Sequence, residues 1–446
     1  MESLAILGGP PAVQGISDEL FTWPIVTPEM EEAVLSVLRT GTISGLQITV
    51  EFEREFADWL GVKYALAHNT GTAAIHGALF GLGVGAGDEV ICPSMTYWAS
   101  CVPVFSLGGT VVLADIDPLT LCIDPADLEK RISKRTKAVV VVHYAGMPAD
   151  MDSILDIARR HDVRVLEDAS HSHGSLYKGR VTGTMGEAAG FSLMSAKSFP
   201  IGEGGLLVTN EREIFERAVA FGHYARHGEN LSIPEISAGA GVPWGGYKYR
   251  LNQLCSAIGR VQLKLYPEQM AEIDRAMNHF WDLLENVPGI RPRRPERALG
   301  TTMGGWYNPL GYYDPEKLGG LSITRFCQAI RAERFDECAP GCNRALHTHP
   351  IFQSLDVYGS GKPTILANAQ PGIDVRPHRE SLPVSDTVQS RVFKIPWFKR
   401  YIPENIERFA LAFKKVAENF EQLIPDDPGN PANMGNWGTT TGLLNL

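Results

Sequence analysis

Between residues 64 and 209, short runs of β-branched and apolar residues alternate with stretches of helical periodicity, and this alternation limits the fold more than any other feature of the chain. The runs at 64–67, 89–92, 110–114, 138–143 and 164–166 read as buried strands. Helices are predicted between them at 72–83, 97–107, 125–133 and 150–161. Strands with no polar face, joined by helices of that length, make βαβ units in a mostly parallel sheet covered on both sides. Residues 191–193 and 205–209 add two strands, expected as a hairpin around a connection that carries Lys197.

The flanking segments divide the chain. Residues 1–27 are rich in Gly and Pro and read as an arm. Amphipathic helices are predicted at 28–39, capped by Thr27, and at 48–60. A long amphipathic stretch at 252–279, which Pro267 is expected to kink or interrupt, leads to a second unit ending in a helix at 404–423. The expected organisation is therefore an arm (1–27), a large α/β domain (28–279), a smaller C-terminal α/β domain (280–424) and a Pro/Gly/Asn-rich tail (425–446). The tail is expected to be poorly ordered or draped on a neighbour.

Charge and cysteines exclude several function classes. A formal net charge of -10 opposes nucleic-acid binding, which wants a basic face. The N-terminus lacks a basic n-region, and no window approaches the roughly 20 apolar residues of a membrane span, so a soluble cytoplasmic protein is expected. Seven scattered cysteines suit a reducing compartment. Cys338, Cys342, His347 and His349 lie close in sequence, but no second Cys pair supports them and no metal is assigned. No G-x-G-x-x-G follows the early strands, which disfavours a dinucleotide-binding dehydrogenase.

Ligands of open α/β sheets sit beyond the carboxyl ends of the strands. Three such turns carry suitable side chains. In the first, 68–73 (HNTGTA), Gly71 lets a ligand approach, and the amides of Gly71, Thr72 and Ala73 open a helix, as in anion sites. The second, 167–174 (EDASHSHG), places Asp168 at a strand end, where a carboxylate wants a cationic partner. A protonated ring nitrogen would serve, and His171 could donate to a ring oxygen. The third, 93–100 (PSMTYWAS), offers Tyr97 as a platform for a flat ring. Ser192 could add a hydroxyl to the anion site. Lys197, among small and apolar residues, is placed where desolvation favours a neutral, nucleophilic amine. A plain helix cap, a loop-bonded Asp, core aromatics and a surface lysine account for the features singly. Together they describe a pyridoxal phosphate site.

With these motifs in this order, and with 143–150 (HYAGMPAD) and 202–205 (GEGG), the chain resembles the sugar aminotransferases of the DegT/StrS type over about 25–423. The resemblance implies a fold-type I, aspartate-aminotransferase-like architecture: a mostly parallel seven-stranded sheet in the large domain and a smaller C-terminal α/β domain. It implies a homodimer with shared active sites and pyridoxal 5'-phosphate as cofactor, passing through pyridoxamine 5'-phosphate as intermediate. By position, Lys197 would be the imine-forming lysine and proton shuttle, Asp168 would face the pyridine nitrogen, and His171 the ring hydroxyl. Gly71, Thr72, Ala73 and Ser192 would hold the phosphate and Tyr97 would stack on the ring. Lys248, in the segment 246–250, would reach the partner subunit's phosphate from a position where relatives often carry Asn.

The implied reaction is transfer of an amino group from glutamate or glutamine to a keto-sugar, often nucleotide-linked, or to a keto-cyclitol. A non-catalytic sugar-sensing regulator, and a family enzyme of elimination or oxidation, remain as alternatives. Arg226, His227, Lys248, Arg250 and Arg344 are candidates for an acceptor's diphosphate. The loop 222–245 and the segment 300–350 are expected to shape the acceptor pocket, with His347 and His349 near its mouth.

Overall fold

The computed structural model describes residues 3–437. Its strands, in chain order, are β1 (Tyr64–His68), β2 (Glu89–Pro93), β3 (Thr110–Ala114), β4 (Thr136–Val142) and β5 (Arg164–Asp168). A small hairpin, β6 (Leu176–Tyr177) and β7 (Arg180–Val181), is followed by β8 (Ala188–Ser192) and β9 (Gly205–Thr209). Seven of these form one sheet in the order β1-β9-β8-β5-β4-β2-β3. Only β9 runs against its neighbours; the other pairings are parallel. The carboxyl ends of six strands and the start of β9 therefore share one edge. The fold is the α/β architecture expected, and the β8–β9 hairpin does flank Lys197.

The helix Gly71–Gly81 is apolar nearly all round because it is sandwiched on the sheet. It lies so close to β8 that a Cβ on Gly190 would fall 2.5 Å from Ile75 Cδ1. Two helix expectations are corrected. In place of a helix over 97–107 there is a 3-10 turn, Trp98–Ser100, then a short helix, Pro103–Ser106. Pro103 has no amide to bond the Ala99 carbonyl, and the backbone leaves helical geometry at Cys101 (φ -120°). Conversely, of the kink or interruption expected at Pro267, the interruption does not occur: the helix spans Gln253–Leu283. Buried Gln262 donates to Gln269 at 2.7 Å across the proline, and fully buried Tyr266 packs beside it.

Beyond this helix, β10 (Ile290–Pro292), β11 (Leu310–Tyr313) and β12 (Val392–Lys394) make an antiparallel sheet. The helices Ile323–Ala332 and Pro403–Glu418 pack with it around Phe326, Phe393 and Phe413, whose ring centroids stand 5.4 and 5.8 Å apart along the chain of contacts. Residues 339–391 hold only short helical turns and fold back over the large sheet. Asp115, just past β3, accepts the amides of Val384 and Ser385 and the Ser385 hydroxyl. The tail differs from expectation as far as Trp437. Asp427 takes the Ser322 amide at 2.7 Å, the Asn436 carbonyl takes the Arg344 amide at 2.8 Å, and Trp437 Nε1 donates to the Ala345 carbonyl. Backbone pairing with its own chain anchors a sequence whose composition alone suggested disorder; residues 438–446 lie outside the described residues.

Candidate active site

The anion cradle forms where β1 hands over to its helix. Thr70 caps that helix, its Oγ1 accepting the Ala73 amide at 3.0 Å. The first amides of the helix, on Gly71 and Thr72, have no partner within the helix. Gly71 is required by close approach: a Cβ there would sit 2.6 Å from Ser192 Cβ. The end of β8 thus lies against the helix start, with Ser192 paired to Gly205 and half-buried beside Gly71.

Two adjacent carboxylates at the end of β5 have opposite surroundings. Glu167, on one face, is fully buried and fully bonded: His143 Nε2 and the amides of Gly183, Met185 and Gly186 donate to it. Burial alone would raise its carboxyl, but His143 and those amides outweigh it and hold it below the ordinary range. Glu167 is a fastener for the loop. Asp168, on the other face, is 6% exposed and receives only neutral donors, Ser100 Oγ at 2.7 Å and the Ser170 amide at 3.1 Å. It makes no ion pair among the described residues. A buried carboxylate with no cation is costly unless a ligand supplies one.

His171 is set by the 143–150 turn. Ala145 adopts a left-handed conformation (φ 50°) and its amide donates to His171 Nδ1 at 3.2 Å. Burial, reinforced by the Lys197 charge, holds the imidazole well below its ordinary range. A neutral ring that accepts at Nδ1 carries its proton on Nε2, leaving Nε2 as a donor. The buried Arg293 guanidinium grips the same turn, donating to the carbonyls of Tyr144 and Ala145.

Lys197, 8% exposed, lies in the β8–β9 connection. The arm reaches it: Trp23 Nε1 donates to the Lys197 carbonyl at 2.8 Å. Its amine has no hydrogen-bond or ion-pair partner among the described residues. Instead it stands 4.1 Å from the centre of the Tyr307 ring, which also packs at 4.5 Å against His171.

Asp168, His171, Ser192, Lys197 and the Gly71–Ala73 turn are thus gathered on one edge of the sheet. Tyr97 stands on the turn that also carries Ser100, 36% exposed and 4.9 Å from Trp98. Lys248 is not joined to this group by a contact among the described residues; its amine lies 5.9 Å from the Tyr224 ring. Its loop nevertheless borders the cradle, since the Tyr249 carbonyl accepts the Asn69 amide at 2.7 Å.

Several acceptor-site expectations are corrected. Arg226 is buried in a two-pronged ion pair with Glu53, and His227 is buried against the Gly241 amide and the Val219 carbonyl. Neither side chain has a free face. His347 is not at a mouth: it is 1% exposed, bridging Ser94 Oγ and Asp386, each at 2.7 Å. Cys338, Cys342 and His349 have separate neighbours, in Cys327, Met95 and Trp437. Missed from sequence were Ser100, the Ala145 amide and the position of Tyr307. The Gly304-Gly305 pair before Trp306-Tyr307 was the one available signal for the last.

The model of the DegT/DnrJ/EryC1/StrS aminotransferase family matches residues 24–363. L-glutamine:scyllo-inosose aminotransferase of Streptomyces griseus is 33% identical over 94% of this chain and 99% of its own. GDP-perosamine synthase of Caulobacter vibrioides is 38% identical over 66% of this chain and 75% of its own. Among solved structures, an aminotransferase from Psychrobacter cryohalolentis superposes with a TM-score of 0.76 at 28% identity, covering 90% of this chain and 100% of that one.

Proposed function

The chain belongs to the DegT/DnrJ/EryC1/StrS aminotransferase family, and from that premise we propose a pyridoxal phosphate-dependent aminotransferase that moves nitrogen from glutamine or glutamate to a keto-cyclitol or keto-sugar. The observation that carries this reading is the pairing of Asp168, a buried carboxylate with only neutral donors among the described residues, with the Lys197 amine, unpartnered among the same residues, on the same sheet edge.

These residues fit the cofactor. Asp168 offers the charge a protonated ring nitrogen needs, and His171 Nε2–H the donor for the ring oxygen. Gly71, Thr72, Ala73 and Ser192 frame the phosphate; Thr72 and Ser192 contribute hydroxyls, while the Ala73 amide is already taken by Thr70. Tyr97 is the exposed ring nearest these turns in sequence. When bound, pyridoxal phosphate supplies the electron sink and carries the nitrogen between donor and acceptor as its pyridoxamine form. The chain's part is to hold the ring, exclude water and move one proton. The Lys197 amine takes the proton from the donor carbon and returns it on the other side of the transfer.

Of the two acceptor classes, the cyclitol is favoured by extent of match. The inosose aminotransferase aligns over 94% of the chain, which must take in much of the 339–391 segment that folds over the sheet. We read the working form as a cytoplasmic homodimer of large (28–279) and small (280–424) domains, with Lys248 crossing to the partner subunit's phosphate. Supporting this, Val26, Leu35, Leu38, Ile43 and Val50 are exposed apolar residues on the arm and first helices.

The test is amination of scyllo-inosose and of a nucleotide-linked keto-sugar with glutamine or glutamate. Wild type should aminate one class and turn yellow with pyridoxal phosphate; Lys197→Ala should do neither. Full turnover by Lys197→Ala would refute the proposal.

A further inference from the structure

We propose that Tyr307 acts directly on the reacting amine, its π face stabilising the cationic state of Lys197 Nζ and fixing the amine's position beside His171. This rests on Lys197 being the imine-forming lysine.

Contacts and backbone converge on the assignment. Tyr307 touches both functional side chains at once, Lys197 Nζ 4.1 Å from its ring centre and the His171 ring at 4.5 Å and 37°. Trp397 packs at right angles to it, ring centroids 5.5 Å apart. No carboxylate faces the Lys197 amine among the described residues, so the aromatic face is the group that meets its charge.

The backbone around Tyr307 is left-handed at three positions, and at Trp306 that conformation is costly. Gly304 (φ 50°), Trp306 (φ 53°) and Asn308 (φ 47°) are all left-handed, a region that Trp in particular rarely enters. Such strain persists only where the surroundings over-determine it, and here they do. A Cβ on Gly304 would meet the His173 carbonyl at 2.4 Å, and one on Gly305 would meet Ser198 Cβ at 2.4 Å. The loop is therefore wedged against the residue after Lys197 and the turn that carries His171. Buried Trp306 pins it again, its Nε1 donating to Asp274 at 2.8 Å.

In each half of the reaction the free lysine accepts a proton from one carbon, becomes an ammonium ion, and delivers it to a different carbon. A π face over Nζ stabilises that ammonium without a hydrogen bond that would have to break before the proton moves on. A carboxylate in the same place would hold the proton more tightly.

The test compares Tyr307→Phe, Tyr307→Leu and 3,4,5-trifluorophenylalanine at the same position, in the pyridoxal phosphate-loaded enzyme. The last keeps the shape of Phe but drains most of the negative charge from the ring face. The first readout needs no turnover: the pH midpoint at which the yellow imine loses its proton. Tyr307→Phe should keep the wild-type midpoint, while the leucine and trifluoro variants should lower it by about one pH unit. The same two should lose about tenfold in kcat with KM unchanged. Thermal melting of all three separates folding from chemistry, and the trifluoro variant decides the matter if leucine unfolds the loop. Equal midpoints in Phe and trifluoro variants would overturn the proposal. Failure of the underlying reading would look different: wild type itself would form no yellow species.

Discussion

Replacing Asp168 by Asn separates a cofactor-facing carboxylate from a structural one, because the structure sets different costs for the two roles. Asn is nearly isosteric and its amide oxygen can still accept from Ser100 Oγ or from the Ser170 amide. What disappears is a charge that is 6% exposed and has no cationic partner among the described residues. A cation at ~4 Å and an effective dielectric of ~20 is worth about 4 kcal/mol to such a charge. At 1.36 kcal/mol per tenfold, turnover should fall by about a thousandfold, less whatever the two neutral donors already spread. The cofactor-free protein should behave in the opposite sense. It no longer buries an unpaired charge, so its melting temperature should be equal to or above wild type. Calorimetry with and without pyridoxal phosphate, alongside turnover, reads both effects. A cofactor-free variant destabilised by several degrees, with turnover within tenfold of wild type, would refute the reasoning and make Asp168 a loop fastener like its neighbour.

Other outcomes follow from the same contacts. Glu167→Gln should cost about 2–4 kcal/mol in denaturant unfolding with and without cofactor alike, since it leaves donors unpaired around a fully bonded site. Gly71→Ala should weaken pyridoxal phosphate binding at least tenfold in a fluorescence titration, because its Cβ must displace Ser192 at 2.6 Å; an unchanged affinity would remove Gly71 from the cradle. Burial lowers His68 and His76 to about 4 and His173 to about 3. The unfolded chain takes up these protons near pH 6.5 and the native chain only near 3–4, so the unfolded state binds more protons across that window. Stability should be complete above pH 6.5 and fall as pH drops toward 4, by up to ~1.4 kcal/mol per unit for each histidine; a flat profile would contradict it. Replacing His171 by Gln, which can also donate, should preserve turnover better than replacing it by Leu, with a difference of about tenfold in kcat.

What the sequence disclosed was whatever repeats locally. Runs such as Val139–Val142 can only be buried strands, and the turn chemistry at Thr70-Gly71 and Glu167-Asp168 marks strand ends whichever way the sheet is ordered. It could not show which of two adjacent carboxylates would be satisfied by the protein; that depends on Gly183, Met185 and Gly186 returning over Glu167. Nor could spacing reveal that Arg226 meets Glu53, 173 residues away, or that His347 is walled in by Ser94 and Asp386. Pro267 shows the limit of a local rule: side-chain packing and the Gln262–Gln269 bond carry the helix past it. The segment 300–350 reads as pocket-forming, but the contact of Tyr307 with Lys197 stays hidden, because it depends on a wedge between two loops distant in sequence.

Borohydride reduction of the pyridoxal phosphate-loaded protein, followed by peptide mass mapping, reads which buried amine carries the cofactor. A second buried amine without a hydrogen-bond partner among the described residues is that of Lys399, 4% exposed between Trp23 and Trp397 and pushed well below the ordinary lysine range by burial. The reduced pyridoxyl group is expected on Lys197 alone. Label on Lys399, or on no lysine, would contradict this.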